Sequence, residues 1–349
     1  MTDSERPGAS VATGGGARLA IMAAIVLGGA VATGIVGYFG FSKVYAALGA
    51  IGWRGFGFLC VYTALPFCLL GSAWFVLAGG APPRQWGVFV WARMVRDAGA
   101  ELLPLSHLSG FLLGARAAML RGLAPTRVLS TEVVDVTTEL IAQLGFTGLG
   151  LSLLAMRLGA GSAHNALIGA GLIGLGLTAA GAVAFIALQR RGMGLVEALA
   201  RRFLPAAAAG TGEIGAALEA IYRRPGRVIL SVAIHMSAWI ASAAGAWGAL
   251  RLAGVPIGLG SILAIESLVA AARSAAVFAP AGVGVQEATY AVLGPLFGLG
   301  AEMSLALSLI KRARDLAIGV PTLIVWQALE SRRLIDGRRG GVGLAGGLD

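Results

Sequence analysis

Apolar runs long enough to cross a bilayer recur along the chain at 19–41, 55–78, 127–157, 164–188, 226–251 and 302–330, each near the roughly 20 residues that a hydrocarbon core requires. They predict six spanning helices. Two further apolar stretches are cut by helix breakers: Trp86 to Gly122 at Pro104 and Gly110, and Gly258 to Gly298 at Pro280, Gly282 and Gly284. Proline removes a backbone donor and blocks the preceding turn, and glycine accepts unusual dihedrals, so each stretch predicts two short helices. Each pair reads as a hairpin that enters and leaves the membrane on one side. Amides freed at such a break need partners, so broken helices at membrane depth are buried in protein or line a wet cavity, and they point to a binding site.

The pattern occurs twice. Two spanning helices, an Arg-bearing helix, a Pro/Gly break, a short helix and a long charged helix fill 19–157 and then 164–330. Arg96 and Pro104 answer Arg273 and Pro280. Arginines in the central loop at 189–226 and in the Arg/Gly-rich tail at 331–349 place both in the cytoplasm by the positive-inside rule, together with the N-terminal tail at 1–18. Three full crossings per repeat then invert the second repeat relative to the first. This is an all-α polytopic membrane fold with inverted topology and two re-entrant hairpins approaching the midplane from opposite faces. Within the central loop, Gly194–Leu204 and Gly212–Arg224 each pair an apolar face with arginines, which predicts helices resting on anionic lipid, or else a solvated basic linker.

Composition agrees: 57% of the residues are hydrophobic, 13% are charged and 54 of 349 are glycine, far from a soluble domain. The net charge of +10 sits in loops and the tail, which suits anionic headgroups, and no aromatic-interleaved basic segment speaks for nucleic acid. Cys60 and Cys68 lie in one apolar segment, roughly 12 Å apart along a helix, too far for a disulfide. The histidines His107, His164 and His235 lack metal-ligand spacing, and no nucleophile elbow or dinucleotide fingerprint occurs, so no metal, cofactor or catalytic residue is expected.

What remains is charge inside apolar helices, each instance costing about 2.5–3.5 kcal/mol on insertion scales unless paired or wet. Arg93, Arg96, Asp97, Glu101, His107 and Arg116 surround the first break. Glu132, Asp135 and Glu139 share one helical face, which Gln143 continues. The second half carries His235, Glu266, Arg273, Gln286, Glu287, Lys311, Arg312, Arg314 and Asp315. The long helix of the first half is acidic where its counterpart is basic, so the two should complement each other where they meet. Lys311, Arg312 and Arg314 cannot all face one groove, so at least one should pair with Asp315. These charges either hold the broken helices together as ion pairs or line a polar groove for a lipid headgroup. In the second case Arg96, Arg116, Arg273, Gln286, Glu287 and Arg314 are the candidate headgroup ligands. Asp97, Glu101, Glu132, Asp135, Glu139, Glu266 and Asp315 are then proton-linked or ion-pairing, with Asp135 and Glu287 the first candidates for a proton.

Leu103-Pro104-Leu105-Ser106-His107-Leu108-Ser109-Gly110, followed by Gly114-Ala115-Arg116-Ala117 and then Glu132-Val133-Val134-Asp135-Val136-Thr137-Thr138-Glu139, resembles the flippase-like family typified by the lysylphosphatidylglycerol synthase transmembrane region. The run from Pro280 to Ala288 resembles that family's second signature, and the resemblance spans roughly 19–330. The first block is similar to the family's hopanoid-associated branch. The resemblance implies a bacterial inner-membrane protein, not an enzyme, that moves hopanoid or another polar-headed lipid between leaflets or towards the outer membrane, with other hopanoid proteins as possible partners. Aminoacyl transfer is not implied, because only a short tail follows Glu330. A membrane-embedded enzyme acting on lipid headgroups and an accessory scaffold of hopanoid synthesis are the alternatives.

Overall fold

A computed structural model describes residues 41–103, 106–158, 205–275 and 284–343, with isolated helical residues between 169 and 183. The expected first span at 19–41 lies almost wholly outside the described residues, as do Pro104, Pro280, Gly282 and the segment 194–204; the span at 164–188 is represented only by those isolated residues. Among the described residues all regular structure is helical.

Helices α1 (Phe41–Tyr62) and α2 (Ala64–Leu77) follow each other through Thr63, whose hydroxyl bonds back to the Leu59 carbonyl. A 3-10 turn at Pro83–Gln85 leads into α3 (Trp86–Leu102), which is followed by α4 (Ser106–Leu120) and the long α5 (Pro125–Leu158). The chain continues through α6 (Pro205–Tyr222), α7 (Pro225–Leu252), α8 (Leu259–Ala275), α9 (Val285–Leu296) and α10 (Ala301–Gly343). Among the described residues, three helical stretches, Gly49–Leu77, Pro125–Arg157 and Pro225–Leu252, are long and apolar enough to cross a membrane. They fall where the apolar runs at 55–78, 127–157 and 226–251 lie. Helices α3, α4, α8 and α9, with 17, 15, 17 and 12 residues, reach only about 18–26 Å.

The helices α3–α4–α5 and α8–α9–α10 are built alike and packed alike. Helix α3 lies on α10 and α8 lies on α5, while α2 and α7 pack against each other and against α3 and α8 respectively. Leu59, Phe146, Leu250, Ile262, Tyr290, and Ile310 belong to the larger core, and Trp74, Phe89, Val95 and Val128 to a second. Large apolar side chains such as Val61, Met156, Ile229 and Ile324 stand exposed around the outside, as a surface bathed in hydrocarbon requires and one in water does not.

Two local expectations change. Gly110 does not break a helix; it lies inside α4. A Cβ there would come within 2.6 Å of the Arg96 carbonyl oxygen and 3.0 Å of Ala100 Cβ, so glycine serves the close approach of α3 and α4. The apolar face of α6 meets protein as well: Leu218 is buried against Leu77 and Val134, with Ile214 and Ile221 beside it, so this face is spent on the bundle and not on lipid alone.

Candidate functional site

Arg93, Arg96 and Asp97 occupy i, i+3 and i+4 on α3, and therefore one face. Opposite them, the spacing of Asp135 and Glu139 on α5 presents two carboxylates one turn apart. Arg96 reaches both, Nη1 to Asp135 Oδ2 at 2.8 Å and Nη2 to Glu139 Oε2 at 2.8 Å. Arg93 doubles the arrangement, at 3.3 Å to Asp135 Oδ2 and 2.5 Å to Glu139 Oε1, with Nε 2.9 Å from Asp97. His235 of α7 closes the far side, its Nε2 3.0 Å from Asp135 Oδ1. Gln143 continues the stripe to Ser274 and to the Ala270 carbonyl on α8.

The second set of helices repeats this crossing with the signs exchanged. Arg93 is the eighth residue of α3 and Glu266 the eighth of α8. Asp135 is the eleventh residue of α5 and Lys311 the eleventh of α10. Lys311 Nζ contacts Glu266, the Tyr290 hydroxyl donates to Glu266, and Lys311 donates to that hydroxyl at 3.0 Å. One turn away, Glu287 does two things. Its Oε2 accepts from the Gly284 amide at 2.8 Å, and its Oε1 accepts from Arg312 Nε at 2.6 Å. The first bond caps α9 immediately after the break, where Gly284 takes φ 82°. Gln286 donates to the Ser308 hydroxyl at 3.0 Å and its side-chain oxygen accepts from Arg273 at 3.2 Å.

The long helices therefore do not neutralise each other. Asp135 and Glu139 of α5 are satisfied by α3 and α7, and the basic stretch of α10 by α8 and α9, because each hairpin supplies the opposite sign at the register where it meets its own long helix. Arg314 pairs with its neighbour Asp315 at 2.5 Å, as the crowding of three cations on α10 predicts.

Among the described residues, two ion pairs tie one set to the other. Arg273 of α8 meets Glu101 of α3 at 2.5 Å, and Arg116 of α4 meets Glu330 of α10 at 2.7 Å. They are far apart. Glu101 and Leu102 line a small, partly open cavity of about 10 Å³ with Arg312, Asp315 and Leu316, room for about one water. Glu330 lies fifteen residues beyond Asp315 on α10, about 22 Å at helical rise. Arg116 and Arg273, both candidate headgroup ligands, thus stand in separate pairs, Arg116 half-exposed against a buried Glu330. Glu330, Tyr290 and Ser308 were not singled out from the sequence. Tyr290, three residues after Glu287 on an apolar helix, was open to discovery there; Glu330, 214 positions from its partner, was not. Among the described residues no group of acidic, histidine or cysteine side chains could hold a metal ion.

No curated protein and no solved structure matches the chain. One family does, described as the Lysylphosphatidylglycerol synthase TM region, over residues 25–321. That span contains both crossings, from Arg93 to Asp315, together with the three helices able to cross a membrane. The chain is a membrane-embedded helical protein, and it belongs to the family of the lysylphosphatidylglycerol synthase transmembrane region.

Proposed function

We propose that this protein is a lipid translocator of the bacterial inner membrane, moving hopanoid or another polar-headed lipid, and not an enzyme. In this reading α3–α4 and α8–α9 are re-entrant hairpins in two inverted repeats, six helices span the bilayer, and both termini are cytoplasmic. The observation that carries it is the Arg273–Glu101 pair, which joins the two hairpins beside a narrow, charged cleft lined by Arg312 and Asp315. Both partners keep about a quarter of their surface exposed, so the pair is not locked in the core as Lys311 and Glu266 are. A phosphate or hydroxylated headgroup competes with Glu101 for Arg273, and its arrival removes the contact that holds the hairpins together. Rocking of one repeat against the other then exposes the headgroup to the opposite leaflet, while the apolar part of the lipid stays in hydrocarbon.

The test compares hopanoid and phospholipid in separated inner and outer membranes, with and without the protein, followed by leaflet assays in reconstituted vesicles. Translocation predicts unchanged lipid species with altered distribution, and loss of movement in Arg273→Ala. An altered or missing lipid species marks an enzyme instead.

A further inference from the structure

Glu132 lies on the same face of α5 as Asp135 and Glu139, three residues from the first. It is fully buried, and neither carboxyl oxygen has a hydrogen-bond partner. Its neighbours on the stripe are treated very differently, with Asp135 and Glu139 taking the hydrogen bonds that Arg96 donates. The charges that act on Glu132 are Arg96 and Arg93 of α3 and Asp135 of its own helix. Helix α7 adds His235, which reaches Asp135, and α2 carries the Cys68 thiol but no acidic or basic side chain. Helix α4 comes close through Gly114, where a Cβ would lie 3.0 Å from Glu132 Oε1, while its Arg116 is taken up by Glu330. The charges of α6 pair elsewhere or lie exposed, and those of α8, Glu266 and Arg273, are held by Lys311 and Glu101.

Within this cluster four carboxylates, Asp97, Glu132, Asp135 and Glu139, face two guanidinium groups. In a low-dielectric interior two uncompensated negative charges cost far more than any hydrogen bond here returns. The carboxyl that no donor serves is where a proton relieves that cost. The second set of helices has nothing comparable, since Ser308, the eighth residue of α10 as Glu132 is of α5, is engaged by Gln286 and Glu287.

We propose that Glu132 is a proton-carrying carboxyl that links lipid movement to protons, a proposal that rests on the translocator reading above. When an anionic headgroup draws Arg96 away from Asp135 and Glu139, the cluster loses a positive charge. The proton on Glu132, which exchanges through the partly exposed side where Asp97 and Glu139 lie, is then held more tightly. Release of the headgroup returns Arg96 and loosens it. Headgroup and proton therefore assist each other's binding by the same factor, which is coupling in the same direction.

The test has two parts, both on the full chain in lipid nanodiscs or vesicles. Infrared difference spectra read the C=O stretch of a protonated carboxylic acid: the band is expected in the wild type, absent in Glu132→Gln, and unchanged in Glu219→Gln on the exposed face of α6. If Glu132→Gln does not insert, Glu132→Asp keeps the acid and shifts the band. A missing band, one indifferent to both substitutions, or one abolished by sodium at constant pH overturns the proton site. In vesicles a pH gradient is expected to drive lipid into one leaflet, and Glu132→Gln to lose that drive. Lipid movement that ignores the gradient overturns the coupling while translocation stands. If the wild type moves no lipid, the translocator reading and the coupling fall together, and the infrared band alone decides whether Glu132 holds a proton.

Discussion

Replacing Lys311 by methionine tests whether the second crossing is held by its charges. Lys311 and Glu266 are both buried, and among the described residues the ammonium is the only cation in contact with that carboxylate. Methionine fills much of the same volume, so the perturbation is electrical. It leaves Glu266 inside the bundle with the Tyr290 hydroxyl as its remaining donor. Stranding one member of a buried pair costs about 3–5 kcal/mol. With an unfolding entropy of about 2 cal/mol/K per residue over 349 residues, the melting temperature falls by about 4–7 °C. Removing both charges in Glu266→Leu/Lys311→Met also removes the desolvation penalty, and the loss is then recovered in large part, since apolar replacements of buried pairs are often neutral or better. Thermal unfolding of the purified chain in nanodiscs, followed by tryptophan fluorescence, reads both variants. A single variant as stable as the wild type, or a double variant no better than the single, refutes the reasoning.

The same assay reads Gly110→Val, whose side chain collides with the Arg96 carbonyl region and should cost about 1–3 kcal/mol, whereas Gly148→Ala, with open space at its Cβ, should not lower stability. Gly284→Ala should cost roughly 1–3 kcal/mol although no atom lies near its Cβ, because φ 82° strains any side-chain-bearing residue there. Among the two inter-set pairs, Arg273→Ala should abolish lipid movement in vesicles, while Arg116→Gln/Glu330→Gln should retain it at equal insertion, as their separation along α10 requires. Equal loss in both would return Arg116 to the cleft.

Apolar run length and helical spacing are local properties, so the sequence by itself determined the helical membrane class, the places of the three long spans among the described residues, the helix start at Gly284 and the shared face of Glu132, Asp135 and Glu139. It also determined that charge inside the bundle would be abundant. Which charge meets which is set by the register and azimuth of one helix against another, and only the tertiary structure decided that. The bonded partners Arg273 and Glu101 are 172 positions apart, and Arg116 and Glu330 are 214 apart. The signs of α5 and α10 were readable, yet each helix is satisfied by its own hairpin. Glu132 was indistinguishable from Asp135 on the helical wheel until packing gave Arg93, Arg96 and His235 to one and no donor to the other. The depth at which α4 seats on α3 was likewise invisible, because Gly110 announces a breaker in sequence and becomes a contact only where Arg96 lies behind it.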